Sequence, residues 1–164
     1  MTYPFYLVMG VSGSGKTSIG QTMAARLDAL FIDADDLHSA ENVAHMRAGH
    51  PLTDEMRWPW LTTCAETVAT ERTKHPVILA CSALRRIYRD KLRATHPDLR
   101  LIYPVANRDL IADRMSKRQG HYMPVSLLDS QFATLEEPTS EEGAICVPIN
   151  GTVEDIVKDI LDRI

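Results

Sequence analysis

Several common signatures are missing from this 164-residue chain, and each absence closes a class of explanation. Cysteine is scarce: Cys64, Cys81 and Cys146 are odd in number, widely spaced and form no C-x-x-C pair. That pattern argues against a disulfide framework and fits reduced thiols in a cytoplasmic protein. The histidines show no H-E-x-x-H or similar spacing, so no structural metal is expected. No apolar run approaches the roughly 18 residues of a membrane span. The N-terminus has neither the charged start nor the small-residue cleavage site of a signal peptide. No linker, repeat or second composition regime interrupts the chain. With 45% hydrophobic residues it suits one domain over 1–164 with an adequate core.

What is present begins at Gly10-Val11-Ser12-Gly13-Ser14-Gly15-Lys16-Thr17, which fits the phosphate-binding loop G-x-x-x-x-G-K-S/T without a mismatch. The run Phe5–Met9 before it reads as a buried strand, and Ser18–Leu27 after it as a helix. Glycines let successive backbone N–H groups turn inward toward phosphate oxygens. The following helix adds the partial positive charge of its N-terminus. In this arrangement Lys16 reaches the β- and γ-phosphates of ATP, and the Thr17 hydroxyl ligates Mg²⁺.

Net charge is −4 but unevenly placed. Residues 85–118 hold ten Lys or Arg against four Asp or Glu, while residues 119–164 hold two against nine. A basic segment in an acidic chain suggests a local polyanion site, ATP being one, rather than nucleic-acid binding. The bland alternative is a solvated basic helix face.

Short apolar stretches at 5–9, 30–33, 77–81, 100–105 and 144–149 read as strands buried on both faces. Helices fill the gaps. One starts near Ser39 and stops at Gly49. The next is capped by Thr53 and runs toward Lys74, with a bend or restart at Pro59. Others cover 84–95, Asn107 to Gln119, Pro124 to about Leu135, and a final one from Thr152. Five strands alternating with helices predict an α/β fold with a parallel sheet covered on both sides.

The second strand ends in Asp33-Ala34-Asp35-Asp36-Leu37-His38. Strand carboxyl ends face the ligand crevice of such sheets. In extended chain Asp33 and Asp35 point the same way. One carboxylate can take a proton from a substrate hydroxyl, and the other can orient Mg²⁺ through water. A helix cap and solvated acids are the competing explanation. Arg57 offers a planar fork for a carboxylate or a surface ion pair. Trp58 and Trp60 wall a pocket or pack the helix base, with packing favoured. The third strand leads into Ser82 and Ala83 instead of an acid. That counts against motor ATPases and GTPases, as does the absence of N-K-x-D. Small residues there let a substrate approach the backbone. Arg114 and Arg118 share one helix face before Gly120 and are candidates to fold over a triphosphate.

Further runs carry a resemblance. They are Asp33-x-Asp-x-Leu-His38, Asn42…Met46…Gly49-x-Pro51-Leu52…Asp54…Arg57-x-Pro59-Trp60-Leu61, and Cys81-Ser82-Ala83-Leu84-Arg85-Arg86-x-Tyr88-Arg89-Asp90. The last is Arg118-x-Gly120-His121-x-Met123-Pro124…Leu127-Leu128…Ser130-Gln131-Phe132-x-Thr134-Leu135-Glu136-x-Pro138. With the phosphate loop, these motifs make the chain resemble gluconate kinase (gluconokinase) of the P-loop kinase superfamily over nearly its whole length. Ala34 departs from the glycine that family often has between the aspartates.

The resemblance implies a P-loop kinase three-layer fold, with a five-stranded parallel sheet and a helical lid at about 114–138. It implies ATP-dependent phosphorylation of D-gluconate to 6-phospho-D-gluconate by a cytoplasmic homodimer, without nucleic-acid or membrane partners. By position, Gly10, Ser12, Gly13, Ser14, Gly15, Lys16, Thr17, Ser18, Arg114 and Arg118 hold MgATP. Asp35 lies near the accepting hydroxyl, and Lys16, Asp35 and Arg118 are the catalytic candidates. Asp33, His38, Arg57, Ser82, Arg85 and His121 join Asp35 on the substrate side, Arg85, Arg86 and His121 being weaker candidates. Another small-molecule or nucleotide kinase of the same fold stays open, as does a non-catalytic nucleotide-binding module. A panel of acceptors discriminates among these.

Overall fold

A computed structural model describes residues 1–105, 107–117 and 125–164. Its parallel sheet has strand order β2-β3-β1-β4-β5. The strands are β1 (Phe5–Val8), β2 (Leu30–Asp33), β3 (Val77–Ala80), β4 (Arg100–Val105) and β5 (Ile145–Pro148). The helices are α1 (Lys16–Leu27), α2 (Ala40–Arg47), α3 (Asp54–Glu71), α4 (Arg86–Thr95), α5 (Arg108–Lys117), α6 (Val125–Thr134) and α7 (Val153–Leu161).

The two-residue period of β1 divides the core. Phe5, Leu7 and Met9 pack with Leu61, Cys64 and Val68 of α3 and Leu92 of α4. Tyr6 and Val8 pack on the other face with Ile19 and Met23 of α1 and Val157 and Ile160 of α7. A strand covered on both sides needs apolar residues at successive positions, which is why β1 and β3 read as unbroken hydrophobic runs. Burial on both faces does not extend to the edges. Every residue of β2 is only half-buried, and β5 alternates toward solvent. These strands have a neighbour on one side only.

Side chains close the helix starts in the expected places. Ser39 accepts from the Asn42 N–H, Thr53 from Met56 and Asn107 from Leu110. Thr152 and Asp155 form a reciprocal capping box. Pro59 sits inside one continuous α3, so of the expected bend or restart the restart does not occur, and that helix ends at Glu71. Packing of Trp60, Leu61 and Cys64 just beyond the proline holds the helix together where its hydrogen-bond ladder is interrupted.

Two short 3₁₀ turns, Ala34–Leu37 and Ser140–Glu142, were not expected. The first corrects the extended reading of Asp33 and Asp35. The chain turns at Ala34, and Asp33 accepts the Asp35 N–H at 2.9 Å. An aspartate side chain competes for a nearby backbone donor and so favours a turn over continued strand.

The opposite charges of the two sequence segments also meet. Arg89 and Arg93 pair with Glu142 at 2.7 and 2.8 Å, and Arg86 pairs with Glu141 at 3.1 Å. Arg108 pairs with Asp129. Arg86, Arg89, Arg93 and Arg108 of the basic segment are therefore paired within the fold. None of these arginines lines the pocket described next.

Candidate active site

Strand register builds the floor of the site. Val8 is the partner of Ala80, and Ala80 of Asp33, so three strand ends lie in one row. The phosphate loop leaves β1, Ser82 follows β3, and Asp33 leads to Asp35 from β2. The Gly10 N–H donates to the Ser82 carbonyl at 3.1 Å, tying the loop to the end of β3.

Gly13 and Gly15 have φ of +80° and +93°, left-handed values that an L side chain resists. Gly15 leads directly into α1, so the loop amides and the helix start face the same cavity. Ser12, Gly13, Gly15, Lys16, Thr17 and Ser18 line it. Gly10 and Ser14 do not. Ser14 is buried beneath the loop, its hydroxyl without a partner among the described residues.

The Lys16 ammonium donates to the Val11 carbonyl at 3.0 Å. Burial lowers its pKa, with Asp35 and Asp33 pulling the other way. Burial likewise raises the pKa of Asp35, with Lys16 opposing and Asp33 reinforcing. Lys16 and Asp35 thus each favour the other's ionised form, while Asp33 disfavours that of Asp35. The Thr17 hydroxyl lies 3.5 Å from Asp33 Oδ2, while the other Asp33 oxygen caps the 3₁₀ turn. Two hard oxygen donors side by side suit a small divalent cation completed by water and phosphate.

The opposite wall comes from the 3₁₀ turn, the α2–α3 connection and α3. Trp60 donates from Nε1 to the Ala34 carbonyl at 2.7 Å, which fixes the turn carrying Asp35. The His38 ring stacks on Trp60, with centroids 4.0 Å apart and an interplanar angle of 18°. Trp60 therefore both packs and lines the pocket, whereas Trp58 packs edge-on against Tyr88. Burial, and secondarily the Arg57 cation, lower His38 to about 4, so the imidazole is neutral at physiological pH. Arg57 lines the pocket and is held by the Leu52 carbonyl and, at 3.2 Å, by the Tyr88 hydroxyl.

Asp33, Asp35, His38, Arg57 and Ser82 consequently share one cavity with the phosphate loop. Arg85 stands outside its lining, paired with Asp54 at 3.0 Å and Glu136 at 3.7 Å. Arg114 also lies outside and donates to the Ile149 carbonyl at 3.1 Å. Arg118 and His121 fall outside the described residues. Leu127, Ser130, Gln131 and Thr134 of α6, within the expected lid but not among the expected site residues, also line the pocket. Gln131 Oε1 accepts the Ser12 N–H at 2.6 Å, a contact across 119 residues that no spacing rule reveals. Among the described residues no cluster of three His, Cys, Asp or Glu side chains suits a metal ion, and no helix is long and apolar enough to cross a membrane.

This geometry has relatives. A family described as an AAA domain matches residues 6–138. The thermoresistant gluconokinase of Escherichia coli is 38% identical over 161 residues, covering 97% of this chain and 92% of that protein. The gluconokinase of Gluconobacter oxydans is 43% identical over 144 residues, covering 87% and 81%. The crystal structure of a gluconokinase from Sinorhizobium meliloti superposes with a TM-score of 0.88 at 42% identity, over 97% of this chain and 90% of that one. An APS kinase from Mycobacterium tuberculosis, at 14% identity and a TM-score of 0.73 over 98% of this chain and 96% of that one, shares the fold. The chain belongs to the gluconokinase family of P-loop kinases.

Proposed function

We infer the division of labour in this pocket from its two walls. The chain catalyses ATP-dependent phosphorylation of D-gluconate at the 6-hydroxyl, giving 6-phospho-D-gluconate and ADP, the activity of its family. The observation carrying the residue assignments is that Lys16 and Asp35 line one cavity.

On the donor side, the loop amides, Lys16 and Ser18 hold the ATP phosphates. Thr17, with Asp33 through water, would hold Mg²⁺, which supplies charge neutralisation at the β- and γ-phosphates. On the acceptor side, Asp35 takes the proton of the gluconate 6-hydroxyl as its oxygen attacks the γ-phosphorus. Lys16 then balances the charge left on ADP. Arg57 receives the substrate carboxylate, its fork oriented by Leu52 and Tyr88. Ser82 leaves room for the substrate chain against β3. Arg118 and Arg114 are assigned to a lid over the triphosphate, within a single kinase domain whose lid spans about 114–138. His121 remains a weaker substrate-side candidate, as does Arg85, which the ion pair with Asp54 holds away from the pocket. A cytoplasmic homodimer is part of the same reading and is checked by sedimentation.

A coupled assay for ADP release decides the acceptor. Gluconate, shikimate and nucleoside monophosphates are offered in parallel, and turnover is expected with gluconate. Preference for another acceptor overturns the substrate assignment, and consumption of none of them overturns the assignment of catalysis.

A further inference from the structure

Behind the acceptor wall lies an arrangement that the roles above do not use. Asn42 in α2 is buried, and its Nδ2 donates to the Met56 carbonyl at 3.2 Å. A carbonyl only accepts, so this contact fixes which end of the amide is the NH₂. The same Nδ2 lies 3.3 Å from His38 Nδ1. Facing a donor, Nδ1 must offer its lone pair, and the single proton of a neutral imidazole then resides on Nε2. The charged groups around the ring are Asp35 of the 3₁₀ turn, Asp33 of β2 and Arg57 of α3. Burial and Arg57 outweigh Asp33 and keep the ring neutral. Trp60 sets the plane of the ring through the stack described above.

His38 Nε2 is 3.9 Å from Asp35 Oδ1. That is too far for a hydrogen bond, but one oxygen atom can stand about 2.8 Å from both. We propose that Asn42 is a positioning residue that locks His38 in the Nε2–H tautomer, so that one acceptor hydroxyl bridges His38 and Asp35. The hydroxyl accepts from Nε2–H and donates to Oδ1. Its remaining lone pair forms the new bond to phosphorus while the bond to the ADP oxygen breaks and the proton passes to Asp35. The inference rests on the reading of Asp35 as the acceptor-side carboxylate.

The test uses the full chain labelled with ¹⁵N. Long-range ¹H–¹⁵N correlation near neutral pH reads the tautomer of His38, assigned by the signal lost in His38→Gln. A protonated Nε2 and a bare Nδ1 are expected. Asn42→Asp keeps the shape of the side chain but offers Nδ1 an acceptor, so Nδ1 should gain a proton. The kcat/KM for gluconate should then fall roughly tenfold or more, the scale of one misplaced hydrogen bond to a polar group, with the KM for ATP unchanged. The amide of His38→Gln can supply the missing N–H, so this variant should outperform His38→Leu. In its background Asn42→Asp should cost less than in the wild type. A wild-type proton on Nδ1, or an equal cost of Asn42→Asp with and without His38, overturns the proposal. Should Asn42→Asp fail to fold, the wild-type spectrum and the two His38 variants still decide. The spectrum needs no turnover, so its failure is distinct from failure of the Asp35 assignment, which shows as full activity of Asp35→Asn.

Discussion

The Ser12 backbone N–H donates to Gln131 Oε1 at 2.6 Å, so a side chain of α6 rests on the phosphate loop. That N–H belongs to a loop built to present donors to phosphate oxygens. The contact couples α6 to the ATP side of the pocket.

Gln131→Glu should therefore have opposite effects on two measurements. In nucleotide-free protein, a carboxylate accepting from the same N–H makes a stronger hydrogen bond than the neutral amide. Thermal unfolding is expected at a higher temperature. The same negative charge repels the ATP phosphates, and the KM for ATP should rise about tenfold, the cost of one unfavourable charge contact near 1.4 kcal/mol. Gln131→Ala should lose the first effect without the second. An unchanged KM in Gln131→Glu would show that α6 moves clear of the loop before ATP binds.

Lys16→Met tests the donor side. The methionine keeps most of the side-chain volume and discards the ammonium that now donates to the Val11 carbonyl. Loss of a positioned cation at developing charge costs on the order of 10²–10³ in kcat. The melting temperature should hold, because removing a charge whose pKa burial already lowers relieves desolvation. Full activity of the folded variant contradicts the assignment of Lys16.

These features differ in how far the sequence exposes them. The central strands are legible because burial on both faces demands consecutive apolar residues, and Phe5–Val8 and Val77–Ala80 obey. Ser39, Thr53 and Thr152 announce their helices because a cap acts within three residues. The phosphate loop is equally local. The 3₁₀ turn after Asp33 is hidden because an aspartate can end a strand, cap a turn or face a ligand, and here it caps the turn and faces Thr17. Arg85 shows another limit of local reading: its place in a basic run does not reveal that the fold brings Asp54 and Glu136 to it. The pairing of Gln131 with Ser12 depends on how α6 returns over the sheet.

Asp35→Asn addresses the acceptor side through pH. A carboxylate base works when ionised, so kcat/KM rises with pH through its pKa in the free enzyme. Burial lifts Asp35 above the ordinary aspartate value, and Lys16 only partly opposes it. The acidic limb should therefore lie above about 3.9. The asparagine variant should lose about 10²–10⁴ in kcat, and that limb with it, while retaining ATP binding. Weakened ATP binding with kcat intact would assign the residue to the metal instead.

Glu142 offers a stability test away from the site. Burial alone would push its carboxyl up, but hydrogen bonds from Arg89 and Arg93 prevail and hold it at about 2 instead of 4.5. Both Arg89 and Glu142 have side chains essentially closed to solvent, so screening by water is weak. A carboxyl depressed on folding contributes stability that is complete above its unfolded value and drains away as pH falls toward the folded one. The depression corresponds to roughly 3 kcal/mol near neutral pH. Glu142→Gln should lose about that much in urea unfolding, since the amide keeps one acceptor oxygen but leaves the buried Arg89 cation without its counter-charge. The gap between wild type and variant should narrow as pH falls below about 4.5, because only the wild type has a carboxylate to protonate. Glu141→Gln, an exposed partner of Arg86, should change stability by less than about 1 kcal/mol. A Glu142→Gln gap that stays constant between neutral and acid pH would mean that packing, not the ion pair, sets its cost.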